Sequence, residues 1–256
     1  MIHTAYDVMK EYLITGAELD GPYQIPVIPP IQLAPKKSID FVSSKSRSLK
    51  GHKDLTVNFY IDDKSFLQVW NQPDQYIEHL KCFHSVCSPD FTIASGMPTA
   101  LNIYNLYRNH ALGFYFAILG VNIIPSVNVI SPKEMPWIFD GTPHRSTVSC
   151  CTNGRVRSKP ARMEFCENFK EMLDAIEPTK VVIVGIVPDE LNVDVPIINL
   201  NSRSQNMKEM FRKEGPWEQS VADQQNEGTK KQVGRRSAEA DFSVFWGEET
   251  WLEKMN

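Results

Sequence analysis

Three aspartates stand where short apolar runs break into polar residues: Asp62 and Asp63 after LTVNFYI, and Asp90 after CFHSVCSP. Carboxylates at neighbouring strand ends are hard oxygen donors. Asp62 and Asp90 could hold Mg²⁺ or Mn²⁺ beside a phosphate-bearing substrate. All three could instead act as catalytic acid or base. The structural alternative is capping, because Asp63 precedes a helical pattern and Asp90 a turn, where a carboxylate accepts free backbone N–H groups.

Asn105 and Arg108 lie one helical turn apart and so share a face. Among Tyr104, Tyr107 and Tyr115, the planar guanidinium of Arg108 could clamp a phosphate or carboxylate, or pair with a core aspartate such as Asp62 or Asp90. Asn128 closes the run IIPSVN, and the turn TNGR offers Asn153 and Gly154 as a small anion nest of backbone N–H groups. These residues form the expected substrate-binding set. Cys82, His84 and Cys87 resemble a zinc set, but strand alternation puts Cys87 on the opposite face, and no CxxC pair completes a structural site. Cys150–Cys151 offers a nucleophile only if a base approaches in space; adjacent cysteines in a buried strand fit a core as well. No Walker-type loop, GxGxxG, HExxH or GxSxG is present.

The elements that must position these groups follow an α/β rhythm. Apolar runs at 55–62, 82–90, 123–128, 146–154 and 180–185 read as strands, with helical stretches filling most gaps. A sixth strand, VDVPIINL, contains Pro196 and belongs at an edge. The longest helix opens at Pro98 and runs to Gly120; another covers 160–176. The expected fold is α/β, a mainly parallel sheet of five or six strands with flanking helices, either open or curled into a partial barrel. Both arrangements put a ligand site at the strand carboxyl ends. Residues 1–40 read as a short helix and a Pro-rich strip laid over the surface, 41–200 as the α/β domain, and 201–256 as a polar tail with an aromatic, acidic terminus.

With 256 residues, 42% hydrophobic and 23% charged, the chain can bury a sizeable core. Its net charge of −4 argues against a uniformly basic nucleic-acid coat, while Lys45–Lys53 and Lys230–Arg236 remain local basic segments. Five cysteines without a paired pattern fit free thiols in a reducing compartment. The richest apolar run, at 111–127, is broken by Gly113, Gly120, Asn122 and Pro125, so no membrane span and an intracellular, cytoplasmic location are expected.

The ordered series LTVNFYIDDKSF, NQPDQYIEHLKCFHSVCSPDF, MPTALNIYNLYRNHALGFYF, GVNIIPSV, FDGTP and STVSCCTNG resembles the domain-of-unknown-function family four-four-one-seven, over about residues 40–200. That family occurs mainly in phages, prophages and other bacterial mobile elements. The resemblance implies a bacterial host cell as the location, and it brings no established activity. By position it points to Asp62, Asp63, Pro89, Asp90, Pro98, Asn105, Arg108, Pro125, Asp140, Gly141 and Gly154, and so adds Asp140 to the substrate-binding set. His110 stands where a second arginine is usual and Val129 where a tryptophan is usual; if they line the pocket, ligand preference has changed.

Two functions from different classes fit these residues. One is an enzyme, or a degenerate one, acting on a phosphate-bearing nucleotide or nucleic acid through Asp62, Asp63 and Asp90, with Arg108 neutralising charge. The other is a non-catalytic accessory protein that touches nucleic acid through its basic segments and docks a protein partner through residues 242–252.

Overall fold

A computed structural model describes residues 10–46 and 52–214. The chain alternates short strands with helices along most of its length. A small antiparallel hairpin, β1 (Leu19–Asp20) and β2 (Ile25–Pro26), precedes the main body. Then come β3 (Lys37–Asp40), α1 (Phe41–Ser44), β4 (Leu55–Asn58), α2 (Leu67–Asn71), α3 (Ile77–Leu80), β5 (Ser85–Cys87), α4 (Thr99–Ile118) and β6 (Ile123–Ile124). After a long loop follow β7 (Thr147–Cys151), α5 (Lys159–Ile176), β8 (Lys180–Val184), β9 (Ile197–Leu200) and α6 (Arg203–Glu214).

Strands β3 to β6 form one parallel ladder of four and β7 to β9 another of three, each in chain order. A parallel bridge between Ser126 and Ser149 joins the ladders, with Val127 N–H donating to Ser149 O at 2.7 Å and Ser149 N–H to Pro125 O at 2.8 Å. At the far edges Ser38 Oγ donates to Asn201 O, and Asn206 Nδ2 donates to Ser38 O at 3.0 Å. Side chains thus tie β9 back toward β3, and the sheet curls into a partial barrel. The α/β expectation holds; the strands are more numerous and shorter than the apolar runs, because each run continues as irregular chain past its last ladder bond.

Alternation along the strands decides what faces where. Val57, Val86 and Ile123 point outward into a core with Leu112 and Phe116 of α4 and Phe59, Phe66 and Trp70. Val148, Cys150, Val181 and Ile183 meet Phe165, Phe169, Met172 and Ile176 of α5. The inner face carries Ile124, Val182, Val184 and Leu200. It also carries hydroxyl pairs such as Thr56 Oγ1 and Ser85 Oγ at 2.8 Å.

The Pro-rich segment is not a surface strip. Ile25 and Ile28 are fully buried, and Ile31 and Leu33 pack on the inner face beside Ile124 and Leu200. Prolines hold this stretch extended without unsatisfied donors. Ser146 and Thr147 meet the peptide groups of Ile31: Ser146 Oγ accepts from Ile31 N at 2.9 Å, and Thr147 N donates to Ile31 O at 2.8 Å. The polar stretch from residue 201 also opens with structure. Ser202 and Gln205 form a capping box, Gln205 Oε1 accepting from Ser202 N at 2.7 Å and Ser202 Oγ from Gln205 N at 3.4 Å, and α6 follows. The expected N-terminal helix lies mostly outside the described residues; its end is a 3-10 turn, Glu11–Ile14, whose Leu13 is fully buried. Lys230–Arg236, residues 242–252 and part of the 45–53 segment also lie outside the described residues. Among the described residues, no helix is long and apolar enough to cross a membrane.

Candidate active site

Because all main-sheet strands run parallel, the chain segments leaving β4, β5, β6 and β7 emerge at one end of the sheet and enclose a cavity of about 410 Å³. Asp90, Thr92, Asn128 and Arg155 supply its polar lining, and Ile61, Ile93, Val127 and Ile130 much of its apolar wall. This is the carboxyl-end position where parallel α/β sheets hold ligands.

Asp90 follows β5 by way of Ser88 and Pro89. Its Oδ1 accepts from Asn128 Nδ2 at 3.2 Å, across the gap between the β5 and β6 ends. Withdrawal from water pushes its carboxyl up to about 7; the Asn128 hydrogen bond and the Arg155 charge pull the other way, and Asp63 adds to the rise. A carboxyl near neutrality can both give and take a proton at physiological pH. Arg155 Nη2 is held by Val129 O at 2.9 Å. Below, Tyr60 OH donates to Ser149 Oγ at 2.9 Å and approaches Ser126 Oγ at 3.3 Å, fixing the floor. Burial raises the Tyr60 phenol well above its ordinary value and the Cys151 thiol to about 12. Neither is an anion at neutral pH, and Cys151 is no ready nucleophile.

The sequence-derived residues separate into distinct places. Asp90, Asn128 and Asn153 line the cavity together. Asp62 does not: it is exposed, caps the 3-10 turn Asp63–Ser65 through Lys64 N at 3.1 Å, and pairs with Lys64 Nζ at 3.2 Å. Those bonds from Lys64 hold its carboxyl below the usual range. The capping anticipated for Asp63 belongs to its neighbour. Asp63 instead accepts from Thr92 N at 3.1 and 3.2 Å and from Thr92 Oγ1 at 2.9 Å, bracing the loop after Asp90. Among the described residues, no group of three or more His, Cys, Asp or Glu side chains is arranged to hold a metal ion. Cys82, exposed, donates its thiol hydrogen to Glu78 O at 3.2 Å, while Cys87 is buried.

Arg108 lies outside the cavity lining. Its guanidinium covers the Phe91 ring at 3.7 Å and the Tyr104 ring at 4.8 Å, and Nη2 donates to Asn105 Oδ1. Burial lowers its pKa, and among the described residues Nε has no hydrogen-bond partner. Neither the phosphate clamp nor an ion pair with Asp62 or Asp90 describes it; the aromatic faces supply its stabilisation. Asn105 serves the same loop, its Nδ2 donating to Thr92 O at 2.5 Å. Asp140 sits at the hairpin, its Oδ2 buried without a partner among the described residues, and its pKa is raised by burial and then by the Asp20 charge. Gly154 adopts φ +78° with open space around it, at the turn that leads to Arg155. His110 is buried against Pro26 O, with Nδ1 at 3.3 Å, and does not line the cavity. Val129 meets the site only through its carbonyl, which holds Arg155. Arg155 and Tyr60 were not singled out from the sequence; the position of Arg155 just past the TNG turn was the available signal for it.

A larger cleft of about 620 Å³ follows the seam between β3 and β9. Charged groups there are engaged with one another: Lys37 with Asp54 at 3.3 Å, and Arg203 with Asp40 at 3.8 Å. Asp40 also accepts from Ser43 N and Oγ.

The profile of a domain of unknown function (DUF4417) matches residues 17–201. Two relatives are each called Gene 1 protein. That of Mycobacterium phage L5 is 26% identical over 179 residues, 70% of this chain and 78% of the relative. That of Mycobacterium phage D29 is 26% identical over 163 residues, 64% of this chain and 60% of the relative. No solved structure matches the chain.

Proposed function

The chain belongs to this phage-type family of domains of unknown function, and from that premise we propose that it is an enzyme acting on a phosphate-bearing nucleotide or nucleic-acid substrate, with Asp90 as its acid/base. One observation carries this reading: a carboxyl raised to about 7 shares a strand-end cavity with an arginine and an amide.

In this mechanism the Arg155 guanidinium meets the phosphate, while the N–H groups of Thr152, Asn153 and Arg155 are already engaged within the protein, and Asn128 orients Asp90 through Oδ1. The other carboxyl oxygen then exchanges a proton with the reacting oxygen or water. The apolar walls beside Asp90 lower the local polarity and strengthen its charge interactions. If Mg²⁺ or Mn²⁺ is used, Asp90 would be the carboxylate of the cavity lining to hold it, and the ion would supply neutralisation of phosphate charge.

The test is incubation of the full chain with labelled single- and double-stranded DNA and RNA and with free nucleotides, with Mg²⁺, Mn²⁺ or EDTA. Products are read on denaturing gels and by mass spectrometry. Turnover that falls by about 100-fold or more in Asp90→Asn supports the reading. A variant as active as the unmodified protein, or no turnover of any of these substrates, overturns it. A salt-sensitive mobility shift without turnover would favour the non-catalytic binding protein instead.

A further inference from the structure

The loop between Asp90 and α4 hangs on a frame of side chains. Asn102, Asn105 and Asn109 recur at helical spacing on one face of α4. Asn109 takes both peptide groups of Phe91, accepting from its N–H at 2.6 Å and donating to its C=O at 3.1 Å. Asn105 and Asp63 take the C=O and N–H of Thr92. Asn102 takes both peptide groups of Ala94, at 3.1 and 3.0 Å.

Ile93 is skipped. Among the described residues its N–H and C=O have no hydrogen-bond partner, although the residue is only 7% exposed and lines the cavity. Buried peptide groups are nearly always paired, with protein, water or ligand. Ile93, a residue of the cavity wall next to the braced Thr92 and Ala94, thus keeps an unpaired main-chain donor and acceptor.

We propose that the Ile93 main chain reads the edge of a nucleobase, so that the substrate is recognised by its base as well as its phosphate. This rests on the phosphate-bearing substrate proposed above. The Watson–Crick edge of each nucleobase places a donor beside an acceptor, which matches one residue's C=O and N–H. Its flat apolar faces suit the side chains of Ile93, Val127 and Ile130. The cavity, about 410 Å³, falls in the range of small-molecule sites, and Arg155 takes the phosphate. Asn102, Asn105 and Asn109 are positioning residues for this edge.

The probes are the 5′-mononucleotides and ribose 5-phosphate, titrated into the full chain by calorimetry and by amide NMR. At least one nucleotide is expected to bind about tenfold or more tighter than ribose 5-phosphate. The Ile93 amide resonance should move with the nucleotide and stay still with the sugar phosphate. Asn105→Ala should weaken the nucleotide and leave ribose 5-phosphate unchanged, which a general loss of folding would not do. Equal binding of both probes, or an unmoved Ile93 amide at nucleotide saturation, overturns base reading while the phosphate reading stands. No binding of either probe overturns both.

Discussion

Asn109 holds Phe91 by both of its peptide groups, with Phe91 N–H donating to Oδ1 at 2.6 Å and Nδ2 donating to Phe91 O at 3.1 Å. A side-chain amide here does what a neighbouring strand would do, pinning the first residue after Asp90 to the longest helix. Asn109→Ala leaves two buried peptide groups unpaired, for a loss of about 2–4 kcal/mol. Chemical denaturation of the variant checks this; a loss below about 1 kcal/mol would mean that water replaces the amide at little cost.

Asp90 links the site to pH. Its pKa is about 7 in the folded protein and near 3.8 when unfolded. Between those values the folded state holds the extra proton, so this group's contribution to stability falls as pH rises from about 4 to 7. Asp90→Asn removes that cost. The variant should melt higher than the unmodified protein at pH 8, by about 2 kcal/mol once screening by water in the open cavity is counted, and the gap should close by pH 4. Equal melting at both pH values would contradict a buried, raised carboxyl.

His110 acts with the opposite sign. Burial lowers its pKa to about 4, against 6.5 when exposed. The unfolded chain binds the proton first, so stability from the neutral, buried imidazole is complete above about 6.5 and is lost as pH falls toward 4. Replacing His110 with Gln should flatten this acid limb of the stability profile, by about 2–3 kcal/mol at pH 4. An unchanged acid limb would assign the loss to other groups.

Gly141 lies directly against that histidine. Its φ is +75°, and a Cβ there would stand 2.7 Å from His110 Nδ1, 2.7 Å from Ile25 Cγ2 and 2.8 Å from Pro26 O. Both strain and crowding oppose a side chain, so Gly141→Ala should cost about 3 kcal/mol. A thermal shift within a degree of the unmodified protein would show that the hairpin yields freely.

Much of the frame was legible in the residues. The apolar runs at 55–62, 82–90 and 180–185 mark parallel strands, Pro98 opens the longest helix, the 160–176 pattern marks the second, and Asp90 with Asn128 falls on the strand-end cavity. The division of labour between Asp62 and Asp63 was not legible. They differ by one position, and only the backbone path decides which one caps its own turn and which reaches Thr92. The asparagine face of α4 was hidden for a related reason: amides at helical spacing look like a solvated face until their partners, distant in sequence, are known. Arg108 reads as an anion clamp by type, yet Phe91 and Tyr104 enclose it. Curling of the sheet depends on Ser38 meeting Asn201 and Asn206, contacts between chain segments too far apart for any local pattern to encode.

Asp62 and Asp90 give the sharpest contrast, since one faces solvent beside Lys64 and the other lines the cavity. The most direct measurement is turnover of the nucleotide and nucleic-acid panel by the unmodified chain, Asp62→Asn and Asp90→Asn, each confirmed folded by its melting curve. The expected result is turnover in the first two and a loss of about 100-fold or more in the third. Equal turnover by all three, or loss only in Asp62→Asn, would contradict a reaction centred on Asp90.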